Sequence, residues 1–167
     1  MKITVESAAT LAAVLQRDLE AIAALEKHAT GIAHAGLSRE QNDSLGFALH
    51  NIYNALENSF AQISLSFENH VKDRERWHRE LLEKMFLDVP PLRPHVLPAG
   101  GREVLTDLLG FRHVFRHAYD FTLDDAKLLM LWRRWESEGN QVKQALHDFA
   151  VRLVKITAQD HDPAETA

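Results

Sequence analysis

The sequence contains no cysteine. That excludes disulfide cross-links and thiolate metal sites, and it suits a reducing, cytoplasmic setting. No apolar run approaches the roughly 18 residues needed to cross a bilayer, so no membrane segment is expected. The first residues, Met1 to Glu6, lack the basic-then-apolar pattern of a secretory signal. An excess of positive charge is also missing: 19 Lys and Arg stand against 24 Asp and Glu, a net charge of −5 with histidine neutral. A protein that coats nucleic acid by bulk electrostatics would be basic, so any contact with an RNA backbone must be local, through a patch such as Arg102, Arg112 and Arg116. Proline is almost absent outside one stretch, Val89 to Pro98. No internal repeat and no alternating strand pattern is visible. The ten histidines are scattered and form no metal-binding tract.

What is present is helical periodicity. From about Glu6 to Ala35, apolar residues Leu11, Leu15, Ile22, Leu25, Ala29 and Ile32 recur at spacings near three and four, and Gly36 is a natural stop. His28 and His34 read as solvated or rim residues. Ser38-Arg39-Glu40-Gln41 reads as a capping box opening a second long helix. Its stripe runs through Leu45, Leu49, Ile52, Tyr53, Leu56, Phe60, Ile63 and Phe67. The charged segment Asn69 to Arg76 is expected to break that helix. Trp77 to Leu87 reads as a third, short helix with Trp77, Leu81, Leu82 and Met85 inward; His78 and Arg79 either reach a functional cleft or, the favoured reading, form the helix's wet face. The proline-rich stretch is non-helical and stiff, an ordered connection in which Arg93 and His95 either line a substrate or partner or, the favoured reading, carry incidental charge. Arg102 to Tyr119 forms the next helix. Thr122 is expected to cap a last one from Leu123 to about Ala158, with Trp135 in its apolar stripe, Trp132 and Trp135 read as core or dimer surface rather than a base-stacking platform, and a plausible kink at Gly139. The expectation is an all-α antiparallel bundle of about five helices. It comprises a single domain over residues 1–158, followed by a frayed tail over residues 159–167.

The chemistry concentrates in Phe111 to Asp120, which holds two Arg, two His, a Tyr and an Asp. On a helix, Arg112, Arg116 and Tyr119 share one face at i, i+4, i+7. His113, His117 and Asp120 share the adjacent one, beside an apolar seam of Val104, Leu108, Phe111 and Phe115. Basic residues near a helix C-terminus also suit the macrodipole, which is the structural alternative. A metal is a second alternative. Two imidazoles and the Asp120 carboxylate could ligate zinc or iron, although no fourth ligand and no H-E-x-x-H motif is evident.

Arg112, four residues, His117, one residue and Tyr119 make R-x4-H-x-Y, with the polar His113 directly after the arginine. This resembles the signature of HEPN-domain ribonucleases, and within them the HepT-like toxins. Ile52 to Glu57 and Trp77 to Leu82 precede the motif in the order associated with that family, so the resemblance spans most of the chain from about Ser38. It implies a metal-independent, cofactor-free endoribonuclease toxin of a toxin–antitoxin pair, cutting RNA to leave a 2′,3′-cyclic phosphate. His117 would be the general base and Arg112 the phosphate ligand, with His113 and Arg116 in support. It further implies a homodimer with the motif at its interface, and a nucleotidyltransferase antitoxin that adenylylates Tyr119. Independently of the family, a base for the 2′-OH and a cation for the phosphate are close to a minimal set for this reaction. Arg112 and His117 lie about 140° apart around an ideal helix, so one helix alone makes a poor site. On the second helix, Asn54, Glu57 and Asn58 flank the stripe. They are either ordinary surface polarity or groups that face the motif helix, and Glu57 is best suited to hold Arg112. A non-catalytic HEPN binding module is the functional alternative, favoured by the acidic charge.

Overall fold

The computed structural model describes residues 3–34, 36–68, 77–117 and 123–159, without the side chains of residues 117 and 156–159. Among the described residues five helices make up the bundle: α1 (Val5–Ile32), α2 (Arg39–Glu68), α3 (Trp77–Met85), α4 (Arg102–His117) and α5 (Asp125–Gln159). A 3-10 turn at Ala99–Gly101 leads into α4, and no strand occurs among the described residues. The charge-dense segment Asn69 to Arg76 and the tail beyond Gln159 lie outside the described residues.

Local chemistry sets the helix ends. Thr4, extended at φ −71 and ψ 153, caps α1 by accepting from the Ser7 N–H. The helix stops at Ile32, a little before the expected Ala35, when the Ala33 N–H closes the last turn on the Ala29 carbonyl. Gly36 then takes the left-handed φ of 74° that reverses the chain. The capping box at Ser38 forms in both directions. The Ser38 N–H donates to Gln41 Oε1 at 2.9 Å, and the Gln41 N–H to Ser38 Oγ at 3.2 Å. The start of α5 departs from expectation. The helix begins at Asp125 and not at Leu123, and Asp124 accepts from the Ala126 and Lys127 N–H groups at 3.0 and 3.2 Å; Thr122, the expected cap, lies outside the described residues.

The α2 stripe is the spine of the core. Leu45, Leu49, Ile52, Tyr53, Leu56, Phe60, Ile63 and Phe67 are all buried. Each large apolar side chain so placed contributes roughly 1.5–3 kcal/mol. Polar pairs fix the directions. His28 with Ser44, and Asp18 with Asn58 and Ser59, run antiparallel between α1 and α2. Glu26, bound to Trp135 Nε1 at 2.8 Å and to Lys143 Nζ at 2.7 Å, ties α1 to α5. Helix α4 packs antiparallel on α2, which approaches closely at Gly46. A Cβ there would meet Leu123 Cδ1 at 2.8 Å and Phe115 Cε2 at 3.0 Å. Gly139 does not interrupt α5. Helix continues through it, and its missing side chain leaves room for the Trp135 indole, whose ring atoms would lie 2.6–2.7 Å from a Cβ.

The proline-rich connection is ordered, but its charge is not incidental. The Arg93 side chain is 0% exposed and pairs with Glu68 at the end of α2. It also donates to the carbonyls of Lys84, Leu87 and Pro94 at 3.1–3.2 Å. One guanidinium thus ties the end of α2, the end of α3 and the loop that delivers the chain into α4.

Candidate functional site

Helices α2, α3 and α4 meet around Arg112. The antiparallel packing of α4 on α2 turns Arg112 inward onto two residues one helical turn apart, Asn54 and Glu57. Arg112 Nε donates to Asn54 Oδ1 at 2.9 Å, and its NH2 pairs with Glu57 Oε2 at 3.1 Å. The two side chains are 11% and 7% exposed, which makes this a largely desolvated, charge-assisted clasp and not a surface ion pair. Glu57 and Asn54 therefore face the motif helix and hold Arg112.

His78 joins them from α3. Its Nδ1 lies 2.6 Å from Glu57 Oε1, and its Nε2 lies 3.4 Å from Arg112 NH1. The wet-face reading of His78 is corrected accordingly: the ring is 29% exposed and tied to a buried carboxylate. Glu57 can only accept, so Nδ1 carries the hydrogen and Nε2 is the nitrogen left to the cleft. Periodicity could not reveal this contact, because it depends on how α3 is rotated against α2.

On the other side the network continues to His50. Asn54 spends its oxygen on Arg112, so its Nδ2 donates to His50 Nε2 at 2.9 Å. That places the His50 hydrogen on Nδ1, which is buried with no partner among the described residues. The His50 ring packs 5.0 Å from Phe115. Burial above all, then the charges of Arg112 and Arg116, lowers its pKa and favours the neutral imidazole. The nearby Tyr53 hydroxyl is also buried without a hydrogen-bond partner among the described residues. Burial, followed by the charge of Glu57, pushes its pKa far above the usual phenol value, so it stays protonated.

The network opens onto a cleft of about 800 Å³ between α3 and α4, whose lining includes His78, Arg79, Glu80, Leu109, Arg112 and His113. His113 is exposed on that wall. Arg116, one turn beyond Arg112, is exposed and reaches the site electrostatically at His50. The patch of Arg102, Arg112 and Arg116 does not assemble as three available cations. Arg102 begins α4, ten residues or about 15 Å from Arg112. It pairs with Glu83 and lies 4.1 Å over the Phe86 ring. His117 ends α4, but its side chain is not described. Tyr119 and Asp120 lie outside the described residues altogether. Among the described residues there is no cluster of three metal-ligating side chains, and two of the three ligands proposed from sequence fall outside that set.

A family model described as HepT-like protein matches residues 44–153. That span takes in every residue of the Arg112 network and leaves out α1. No curated protein and no solved structure matches the chain.

Proposed function

The chain belongs to the HepT-like family, a HEPN-type group, and on that premise we propose that it is a metal-independent endoribonuclease toxin. The observation that carries this reading is Arg112, clasped in one orientation at the edge of a cleft. A guanidinium has five N–H donors, and the contacts to Asn54, Glu57 and His78 engage three of them. Among the described residues the other two meet no acceptor and are open to phosphate oxygens. A cation held rigidly before substrate arrives needs no reorganisation as charge builds on the phosphorane. In this reading His117 removes the 2′-OH proton and the 2′-oxygen attacks phosphorus. Arg112 stabilises the equatorial oxygens, and the products are a 2′,3′-cyclic phosphate and a 5′-hydroxyl. His113 and Arg116 extend the cationic edge. The protein works as a homodimer, because Arg112 and His117 diverge on one helix and a two-fold axis along α4 brings two of each into one cleft. Purified protein is expected to cleave RNA in EDTA and leave cyclic-phosphate ends. Activity that vanishes in EDTA and returns with a divalent metal would instead support a metal-dependent hydrolase.

The reading includes control by a nucleotidyltransferase antitoxin that adenylylates Tyr119. An AMP on Tyr119, two residues beyond the motif histidine, would set a bulky anion next to Arg112 and Arg116 and exclude RNA by charge and by shape. Mass spectrometry after incubation with antitoxin and ATP is expected to find AMP on Tyr119; an unmodified tyrosine would remove this part of the proposal.

A second reading, a non-catalytic HEPN binding module, draws on two observations: the net charge of −5 and the pairing of Arg112 with Glu57. Folded protein, unmodified at Tyr119 and inert on diverse RNA, would favour it.

A further inference from the structure

We propose that His78 is a second catalytic residue, the general acid that protonates the leaving 5′-oxygen. The inference rests on the ribonuclease reading above and adds a proton donor that R-x4-H does not contain.

The geometry points to this in three ways. Glu57, 7% exposed, lies 2.6 Å from His78 Nδ1. It fixes ring orientation and tautomer, and its charge complements the imidazolium form, as a carboxylate does behind a working histidine. The same carboxylate holds Arg112 through its other oxygen, so the acid and the phosphate ligand share one rigid mount. Finally, His78 Nε2 and Arg112 NH1 are 3.4 Å apart and line the same cleft. That contact is too long to be a strong hydrogen bond. A phosphate entering between the two nitrogens would replace it, with one oxygen on Arg112 and another on His78. Among the described residues, the titratable and charged groups that pair with His78 or share its cleft are Glu57 from α2, Arg79, Glu80 and Glu83 from its own helix, and Arg112 with His113 from α4.

In the step itself, the 2′-OH proton goes to His117 and the 2′-oxygen forms a bond to phosphorus. The bond from phosphorus to the 5′-oxygen breaks, and the Nε2 proton of His78 passes to that oxygen. The products are a 2′,3′-cyclic phosphate and a 5′-hydroxyl, with His117 protonated and His78 neutral. Exchange with solvent restores both.

The test separates leaving-group protonation from mere positioning. The linkage cut by the wild type is mapped on RNA. Two oligonucleotides are then made around it, one natural and one with sulfur in place of the bridging 5′-oxygen. A thiolate leaves without protonation, so the sulfur substrate has no need of the acid. His78→Ala and His78→Gln are compared with wild type, the glutamine variant keeping an amide that can hydrogen-bond Glu57. Both are expected to cut the natural linkage roughly 10²–10⁴-fold more slowly and the sulfur linkage at close to the wild-type rate. Equal losses on the two substrates would make His78 a positioning residue and overturn the proposal, as would no loss on either. In both of those cases wild-type cleavage still stands. Wild type inert on both substrates removes the ribonuclease reading and this proposal together.

Discussion

Arg112→Lys is expected to slow RNA cleavage by roughly 10²–10³-fold although the charge is retained, and His117→Ala by roughly 10²–10⁴-fold. The lysine variant is the sharper of the two. Arg112 meets Asn54 Oδ1, Glu57 Oε2 and His78 Nε2 from three different nitrogens of one planar group. An ammonium presents its donors from a single atom and cannot reach all three partners while also facing a phosphate. Charge near Glu57 is preserved, so the fold is disturbed less than by Arg112→Ala, which would leave a buried carboxylate with His78 as its one remaining partner among the described residues. Single-turnover cleavage under saturating enzyme, with circular dichroism on the same samples, reads the effect. If Arg112→Lys cuts at the wild-type rate, the clasp is not part of the chemistry. If His117→Ala does so, the general base is elsewhere.

The largest loss of stability is expected from Arg93→Ala. Its guanidinium is 0% exposed, and its partner Glu68 is 10% exposed. Removing one member of a buried pair costs about 3–5 kcal/mol, because the other charge stays desolvated. Lys84 Nζ, at 3.2 Å from Glu68, softens that penalty, but the carbonyls of Lys84, Leu87 and Pro94 lose their donor as well. At roughly 2–4 °C per kcal/mol for a chain of this size, the melting temperature should fall by about 6–20 °C. Thermal unfolding at neutral pH checks this, and a fall of only a degree or two would show that the loop holds without its arginine. The site should feel the same change. Arg93 joins the end of α3 to the loop before α4, and those helices carry His78 and Arg112.

The helices and most of their limits were legible in the sequence because near neighbours determine them. Apolar residues at a 3.6-residue period define a face to bury, and Ser38 with Gln41 closes a helix start whatever lies beyond it. Phe111 to Asp120 stood out by composition, and its R-x4-H-x-Y spacing was sufficient to suggest the family. Tertiary structure decided which polar groups meet. Arg112 finds Glu57 and Asn54 only because α4 packs antiparallel on α2, and His78 reaches the same carboxylate only at one rotation of α3. Arg93 looks like any loop cation until the carbonyls around it are seen to converge. Both outcomes depend on contacts between residues far apart in the chain. Helix periodicity fixes what a residue's face is, but not what lies opposite it; that is set by the crossing and rotation of whole helices, which the packing of the core alone determines.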